Sequence, residues 1–416
     1  MSETATTPTS GRIVFTYPAF RNYELARFLI VIAIEMQSVA VGWQVYEITR
    51  RAFALGMTGL VQFLPGVLLF LVAGHAADLM DRRSLLTSCY AGYAVCSALL
   101  LSITLHGIQR VYPIYLVLTL VGVVRSFSGP VTRAILPQLV PVEIFPSAFA
   151  WHASVYQTAS ILGPAVGGLI YAAFRGPAAV YAAAFAAAVA AGFGTLGIRT
   201  TRSAPTREPV SWATVLAGLR YIGREKVILG SISLDLVAVL LGGAVALLPI
   251  YARDILRTSP WGLGVLRSAP GLGAAAMAIL LAYRPLRRRA GLAMLWCVAG
   301  FGAATVIFGI SRSLVISVAS LALVGATDMV SVVIRGTLVQ VNTPDQMRGR
   351  VNAVDMVFIG ASNELGEFES GLTAQWFGVV PAVILGGVGA MAATALWAWW
   401  FPALRGADKL VDSPTS

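Results

Sequence analysis

Apolar runs of about twenty residues recur along this chain, parted by short polar joints, and no other feature restricts its fold so tightly. A hydrocarbon core about 30 Å thick takes roughly 20 apolar residues per helix, so each run can cross a bilayer. Twelve spans are predicted, at 24–48, 54–76, 84–106, 111–136, 148–172, 177–198, 227–252, 259–283, 290–310, 313–340, 351–376 and 379–401. Backbone groups in lipid must be satisfied within the segment, and the ten-residue alternation of barrel strands is missing. The expected fold class is an all-α membrane protein, with Pro65, Pro130, Pro164, Pro249 and Pro270 as kink sites.

Composition agrees. Charged residues make up 12% of the chain, against roughly 25% in a soluble domain. The net charge of +11 would suit nucleic acid if it were gathered, but it is dotted between apolar runs. Lysine occurs only at Lys226 and Lys409, after Glu225 and Asp408, so no Walker A loop is present and a primary pump is disfavoured. Cys89, Cys96 and Cys297 fall in apolar runs without CxxC spacing, and His75, His106 and His152 are scattered. No cofactor or metal site and no enzyme motif is expected. Residues 1–22 are polar and lack the apolar region of a signal peptide.

Arginine bias sets an orientation. With a cytoplasmic N-terminus, that side receives Arg12, Arg21, Arg27, Arg82, Arg83, the 199–226 segment, Arg284, Arg287, Arg288, Arg289, Arg348, Arg350, Arg405 and Lys409. The other side receives Arg50, Arg51, Arg110, Arg175, Arg253, Arg257 and Arg312. The organisation predicted is a cytoplasmic tail at 1–22, a six-helix bundle at 23–198, a cytoplasmic linker at 199–226, a second bundle at 227–402 and a cytoplasmic tail at 403–416. Trp212–Ile222 has the pattern of a short amphipathic surface helix within that linker. The halves share landmarks: Pro65-Gly66 before Arg82-Arg83 matches Pro270-Gly271 before Arg287-Arg288, and Arg133-x-x-Leu-x-Gln138 matches Arg335-x-x-Leu-x-Gln340. Parallel halves about an axis along the membrane normal are a transporter architecture, with the substrate between them.

Between the second and third spans stands Gly74-His-Ala-Ala-Asp-Leu-Met-Asp-Arg-Arg83. Gly74 would let a loop pass close to a neighbour. Asp78 would accept hydrogen bonds at a helix end or pair with an arginine, and Asp81 with Arg82 and Arg83 would form an ion-pair cluster that latches one half to the other. The stretch resembles the signature between helices 2 and 3 of the major facilitator superfamily, in Gly74, Asp78, Asp81, Arg82 and Arg83. That resemblance implies the twelve-helix fold in two six-helix bundles. Leu120-Val-Gly-Val-Val-Arg125-Ser-Phe-Ser-Gly129 is similar to the superfamily's helix 4 motif, which implies a part for Arg125 in proton coupling. Gly163-Pro164-Ala-Val-Gly167-Gly168 is similar to the core of the helix 5 motif of antiporters. Ala19-Phe-Arg21, Gly42-Trp-Gln-Val-Tyr46 and Thr343-Pro-Asp-Gln-Met-Arg-Gly-Arg-Val-Asn352 look like the branch that contains the bacterial enterobactin exporter and related secretion proteins. That branch implies efflux and a bacterial inner-membrane location.

Ionisable groups inside spans are costly and mark function. Glu35 lies in the first span, and Arg125 is its expected partner across the cavity; a carboxyl exchanging between arginine and proton couples transport to a pH gradient. Glu364 and Glu367, three apart in Ser362-Asn-Glu-Leu-Gly-Glu-Phe-Glu-Ser-Gly371, share a helix side and are further proton candidates; Gly366 and Gly371 offer a local break. Gln37, Asp235 and Asp328 are candidate cavity residues. Arg133 and Arg335 lie near span ends and can snorkel. The leading function is a monomeric proton-coupled exporter of a small amphipathic molecule by alternating access. A proton-coupled importer and a non-transporting receptor are the alternatives.

Overall fold

The computed structural model describes residues 13–198, 212–284 and 289–407, without the side chains of residues 70, 71, 77, 78 and 212–215. The first half holds α1 (Pro18–Thr49), α2 (Ala52–Leu79), α3 (Arg82–Leu105), α4 (Tyr112–Ile135), α5 (Phe145–Phe174) and α6 (Pro177–Leu196). α7 (Trp212–Arg224) leads into α8 (Lys226–Leu241), the single turn α9 (Leu248–Ile250), α10 (Pro260–Tyr283), α11 (Ala290–Ile310), α12 (Leu314–Asn342), α13 (Asp345–Phe377), α14 (Val379–Trp400) and the short α15 (Pro402–Arg405). No strand occurs among the described residues.

Among the described residues, eleven helical segments are long and apolar enough to cross a membrane. The twelfth expected span is α13, 33 residues long. Asp345, Arg348, Arg350, Asp355, Glu364, Glu367 and Glu369 make it too polar to register by apolarity. Pro65, Pro130, Pro164 and Pro270 sit inside helices, as expected where neighbours re-satisfy the freed carbonyls. Pro249 instead belongs to the short turn α9. The seventh span breaks before it, at Gly242-Gly243, and continues as a 3-10 turn Ala244–Leu247, α9 and a π-turn Tyr251–Ile255. Irregular backbone at membrane depth is tolerated where it lines a cavity, and Ala246 and Pro249 do so.

α1 packs on α5 and α6, α2 on α4, and α3 on α4 and α6, making the first bundle. α8 packs on α13 and α14, α11 on α12 and α14, and α10 on α12, making the second. Two seams join them, α2 against α13 and α5 against α10. In lipid, small residues at such seams let backbones approach and gain dispersion contact. A Cβ added at Gly371 would stand 2.7 Å from Gly56 Cα, and one at Gly366 would stand 2.9 Å from the Leu240 carbonyl oxygen. These glycines therefore do not break α13, as the sequence suggested; they let α2 and α8 cross it.

α7 is the amphipathic helix expected at 212–222, two residues longer. Its Ile222 joins Ile228, Ile232, Val339, Val351 and Val354 in an apolar cluster of the second half, and Tyr221 Oη donates to the Asn342 carbonyl at 2.8 Å. The tails at 1–12 and 408–416, linker residues 199–211, and Arg287 and Arg288 of the matched landmark lie outside the described residues.

Candidate transport site

Between the bundles lies a cavity of about 310 Å³, lined from α1, α2, α3, α4 and α5 of the first half and from the Ala246–Pro249 turn, α10 and α13 of the second. Its charged lining is Glu35, Arg125, Arg267, Glu364 and Glu367. Arg125 Nη1 stands 2.5 Å from Glu364 Oε1, an ion pair across the halves. The pair expected from sequence, Arg125 with Glu35, is therefore not the hydrogen-bonded one: α13 brings Glu364 closer to α4 than α1 brings Glu35. Glu35 lines the same cavity, with neither a hydrogen bond nor an ion pair to its carboxylate among the described residues.

Arg267 was not singled out from sequence. It enters the cavity from α10, and its Nη1 donates to the Ser38 carbonyl at 3.3 Å. The signal was present, since an arginine within the run 259–283 is as costly in lipid as Arg125. Glu367 lies against α2, where a Cβ at Gly59 would meet its Oε2 at 2.9 Å. Gln37 is in the cavity wall as expected, with its Oε1 accepting from Ser97 Oγ at 2.7 Å.

The four motif residues of α5 divide between two partners. A Cβ at Gly163 would reach Glu35 Cβ at 2.4 Å, and one at Gly167 would reach Met36 Cα at 2.7 Å, so both face α1 directly behind Glu35. Gly168 faces α10 of the other half, 3.0 Å from Gly264 Cα by the same measure, and the Pro164 carbonyl lies 2.5 Å from where a Gly264 Cβ would be. The motif thus sets the spacing of the acid-bearing helix on one side and of the α5–α10 seam on the other.

Asp235 and Asp328 do not line the central cavity. They border a separate pocket of about 10 Å³ inside the second bundle, with Thr327 and Ser331. α8 and α12 turn these carboxylates toward each other and away from the halves' interface. Arg335 is 4% exposed, so it does not snorkel; its Nη1 is 2.7 Å from Asp355 Oδ1 and 3.5 Å from Asp235 Oδ2. Ser331 Oγ donates to Asp235 Oδ1 at 3.1 Å. A second pairing missed from sequence lies in the first half, where His152 Nδ1 is 2.7 Å from Glu24 Oε1 and Arg27 Nη1 donates to the His152 carbonyl at 2.5 Å.

Away from the linker, polar contacts fasten the halves. Arg253 Nη1 is 3.3 Å from Glu47 Oε1, and Arg50 Nη1 is 3.8 Å from Asp254 Oδ1. Tyr46 Oη donates to Asp254 across the same boundary, and within the first half Tyr171 Oη donates to Glu47 Oε2 at 3.3 Å, holding that acid in place. Arg253 and Asp254 belong to the π-turn, a form often found at functional sites.

The model of one protein family, described as transmembrane secretion effector, matches residues 10–413. The chain belongs to that family. It is 27% identical over 383 residues to the enterobactin exporter EntS of Shigella boydii and of Escherichia coli, covering 90% of this chain and 86% of theirs. Its fold is that of solved transporters of the major facilitator superfamily. The POT family transporter PepTSo gives a TM-score of 0.73 at 12% identity, over 94% of this chain and 98% of that one. The nucleoside transporter NupG gives 0.70 at 13%, over 93% and 99%. This secretion-effector family member is therefore a multi-pass membrane transporter with the twelve-helix, two-bundle fold.

The family's loop signature takes a different local form here from the one its residues suggested. Gly74 lies inside α2, which runs to Leu79, because no second proline stands between Pro65 and Asp81 to remove a backbone donor. Beyond its own helical turn, no described atom lies within 4 Å of a Cβ placed at Gly74, so it allows no close approach of another element. Asp81 caps α3, accepting from Ser84 N at 2.9 Å. Arg82 Nη1 donates to the Ala134 carbonyl at 2.9 Å at the end of α4, and Arg83 donates to the Leu196 carbonyl at the end of α6. Both bonds stay within the first bundle rather than joining the halves, since free carbonyls at helix C-termini attract cations. The Asp78 side chain lies outside those described.

Proposed function

We propose that this family member is a secondary active exporter that exchanges protons for a small amphipathic molecule by alternating access. The observation that carries the reading is the Arg125–Glu364 ion pair, which bridges the halves inside a cavity that also holds Glu35, Arg267 and Glu367. A carboxylate held by a guanidinium from the opposite half is released when protonated, which couples proton uptake to relative movement of the bundles. Kinship with EntS, whose name states export, supports the outward direction. On this reading the halves 23–198 and 227–402 rock about the cavity, and the Gly74–Arg83 stretch latches the linker end in the opposite conformation. The protein works as a monomer in a bacterial inner membrane, with both termini and the 199–226 linker cytoplasmic, as the arginine bias favours.

The test is a substrate screen in proteoliposomes with an imposed pH gradient. Uphill movement that collapses with a protonophore is expected for at least one amphipathic compound. Binding of compounds with no gradient-driven movement would favour a receptor, and uphill movement in the opposite sense would favour an importer.

A further inference from the structure

We infer that the transported molecule is an amphipathic organic monocation, and that it takes the place of one proton so that exchange is electroneutral. This rests on the proton-coupled exporter reading above and adds the charge of the cargo.

The cavity lining holds two guanidinium groups, on Arg125 and Arg267, and three carboxylates, on Glu35, Glu364 and Glu367. Arg125 and Glu364 are committed to each other at 2.5 Å. Arg267 uses Nη1 on the Ser38 carbonyl rather than on an acid. Glu35 and Glu367 have no hydrogen-bond or ion-pair partner among the described residues. One guanidinium therefore faces two carboxylates, and the fully ionised cavity carries a single excess negative charge. The remaining polar groups facing it are neutral: Tyr93 and Tyr156 hydroxyls, Gln37 and Gln62 amides, and Ser38 and Thr58 hydroxyls.

An unbalanced charge in a narrow cavity between membrane helices is expensive. One proton or one cationic group removes the imbalance, and an anionic cargo doubles it. Proton and monocation are thus alternative occupants of the same pair of acids. Val31, Ile34, Val41 and Leu118 supply an apolar wall, and tyrosine ring faces attract cations. Among the described residues no three His, Cys, Asp or Glu side chains are grouped to hold a metal ion, which favours an organic cation. The loaded cavity is neutral in both directions of travel, with a proton one way and a monocation the other. No net charge crosses per cycle, so the pH gradient drives transport and the membrane potential does not.

The experiment uses the wild-type protein in proteoliposomes, with two aromatic probes: ethidium, a permanent monocation, and 1-anilinonaphthalene-8-sulfonate, a monoanion. A pH gradient and a potassium-diffusion potential are imposed in separate arms. The expected result is uphill ethidium movement under the pH gradient, unchanged within twofold when the potential is added, and no uphill movement of the sulfonate. Ethidium movement driven by the potential alone, or sulfonate movement with ethidium static, would overturn the charge inference and leave the exporter reading standing. No gradient-driven movement of either probe would count against both. A second measurement is independent of turnover. In weakly buffered detergent solution, saturating ethidium should displace up to one proton per protein, and the Glu35→Gln/Glu367→Gln variant, whose cavity carries one excess positive charge, should bind ethidium at least tenfold more weakly and bind the sulfonate instead. Unchanged ethidium affinity in that variant, with a monodisperse elution profile, would overturn the inference.

Discussion

Arg125 and Glu364 meet across the two halves at 2.5 Å, yet the arginine side chain is 58% exposed to the cavity while the glutamate is 13% exposed. A pair open to water on one side contributes about 0–1 kcal/mol to stability. Glu364→Gln is therefore expected to leave the unfolding temperature nearly unchanged while reducing pH-driven accumulation by tenfold or more, whereas Arg125→Ala, which strands the largely enclosed Glu364 carboxylate, should lower accumulation and stability together. A large fall in stability with intact transport would assign the pair to structure.

Glu35→Gln preserves shape and mimics the protonated acid. Because this carboxylate lines the cavity without a partner and is one of the two acids for which proton and cargo compete, the variant should bind a monocation more weakly, through Glu367 alone, and fail to accumulate it against a pH gradient. Binding and accumulation measured on one reconstituted preparation separate the two effects. Retained accumulation would pass the role to Glu367, its neighbour in the same cavity.

Arg335 makes the opposite case. It is enclosed, with Asp355 and Asp235 as partners, and removing one member of a buried pair costs about 3–5 kcal/mol. Arg335→Ala should lower the thermal unfolding midpoint in detergent by several degrees. Asp328→Asn should leave substrate affinity unchanged, since Asp328 borders the separate small pocket. A tenfold change in affinity would return Asp328 to the transport site.

The far-end contacts predict a charge-reversal rescue. Glu47→Arg alone and Arg253→Glu alone should each reduce transport severalfold, because the 3.3 Å contact between them becomes a repulsion. The double variant restores opposite charges and should recover most of the rate. A double variant no better than the singles would mean that Tyr171 and Trp43, the other neighbours of this pair, matter more.

Asp78→Asn is expected to slow transport at least tenfold without reducing substrate binding, as a latch acts on the switch between states. The Gly74, Asp78, Asp81, Arg82, Arg83 spacing motivates this. Wild-type rates from a well-expressed variant would remove the latch.

Apolar run length determined most of the architecture by itself. Eleven spans registered by length and apolarity, and α13 was legible as a span despite its acids because apolar residues such as those of 356–361 interleave with them. The cap of α3 is a local signal, since it depends on residues three apart in one chain, yet the sequence pattern suggests an ion-pair cluster for Asp81 and the structure makes it the cap. Charges stranded in apolar runs pointed to Glu35, Arg125, Glu364 and Glu367 for the same one-dimensional reason, that lipid penalises them wherever they stand. Which charge meets which was decided only by tertiary structure. Each helix turns its residues by about 100° per step, and its rotation is fixed by what its small residues pack against, such as Gly163 and Gly167 on α1 or Gly366 on α8. That rotation gave Glu364 to Arg125, brought Arg267 into the cavity, and turned Asp235 and Asp328 inward to Arg335's bundle. Sequence spacing along one helix carries no information about the rotation of its neighbour, so these pairings became visible only in the packed protein.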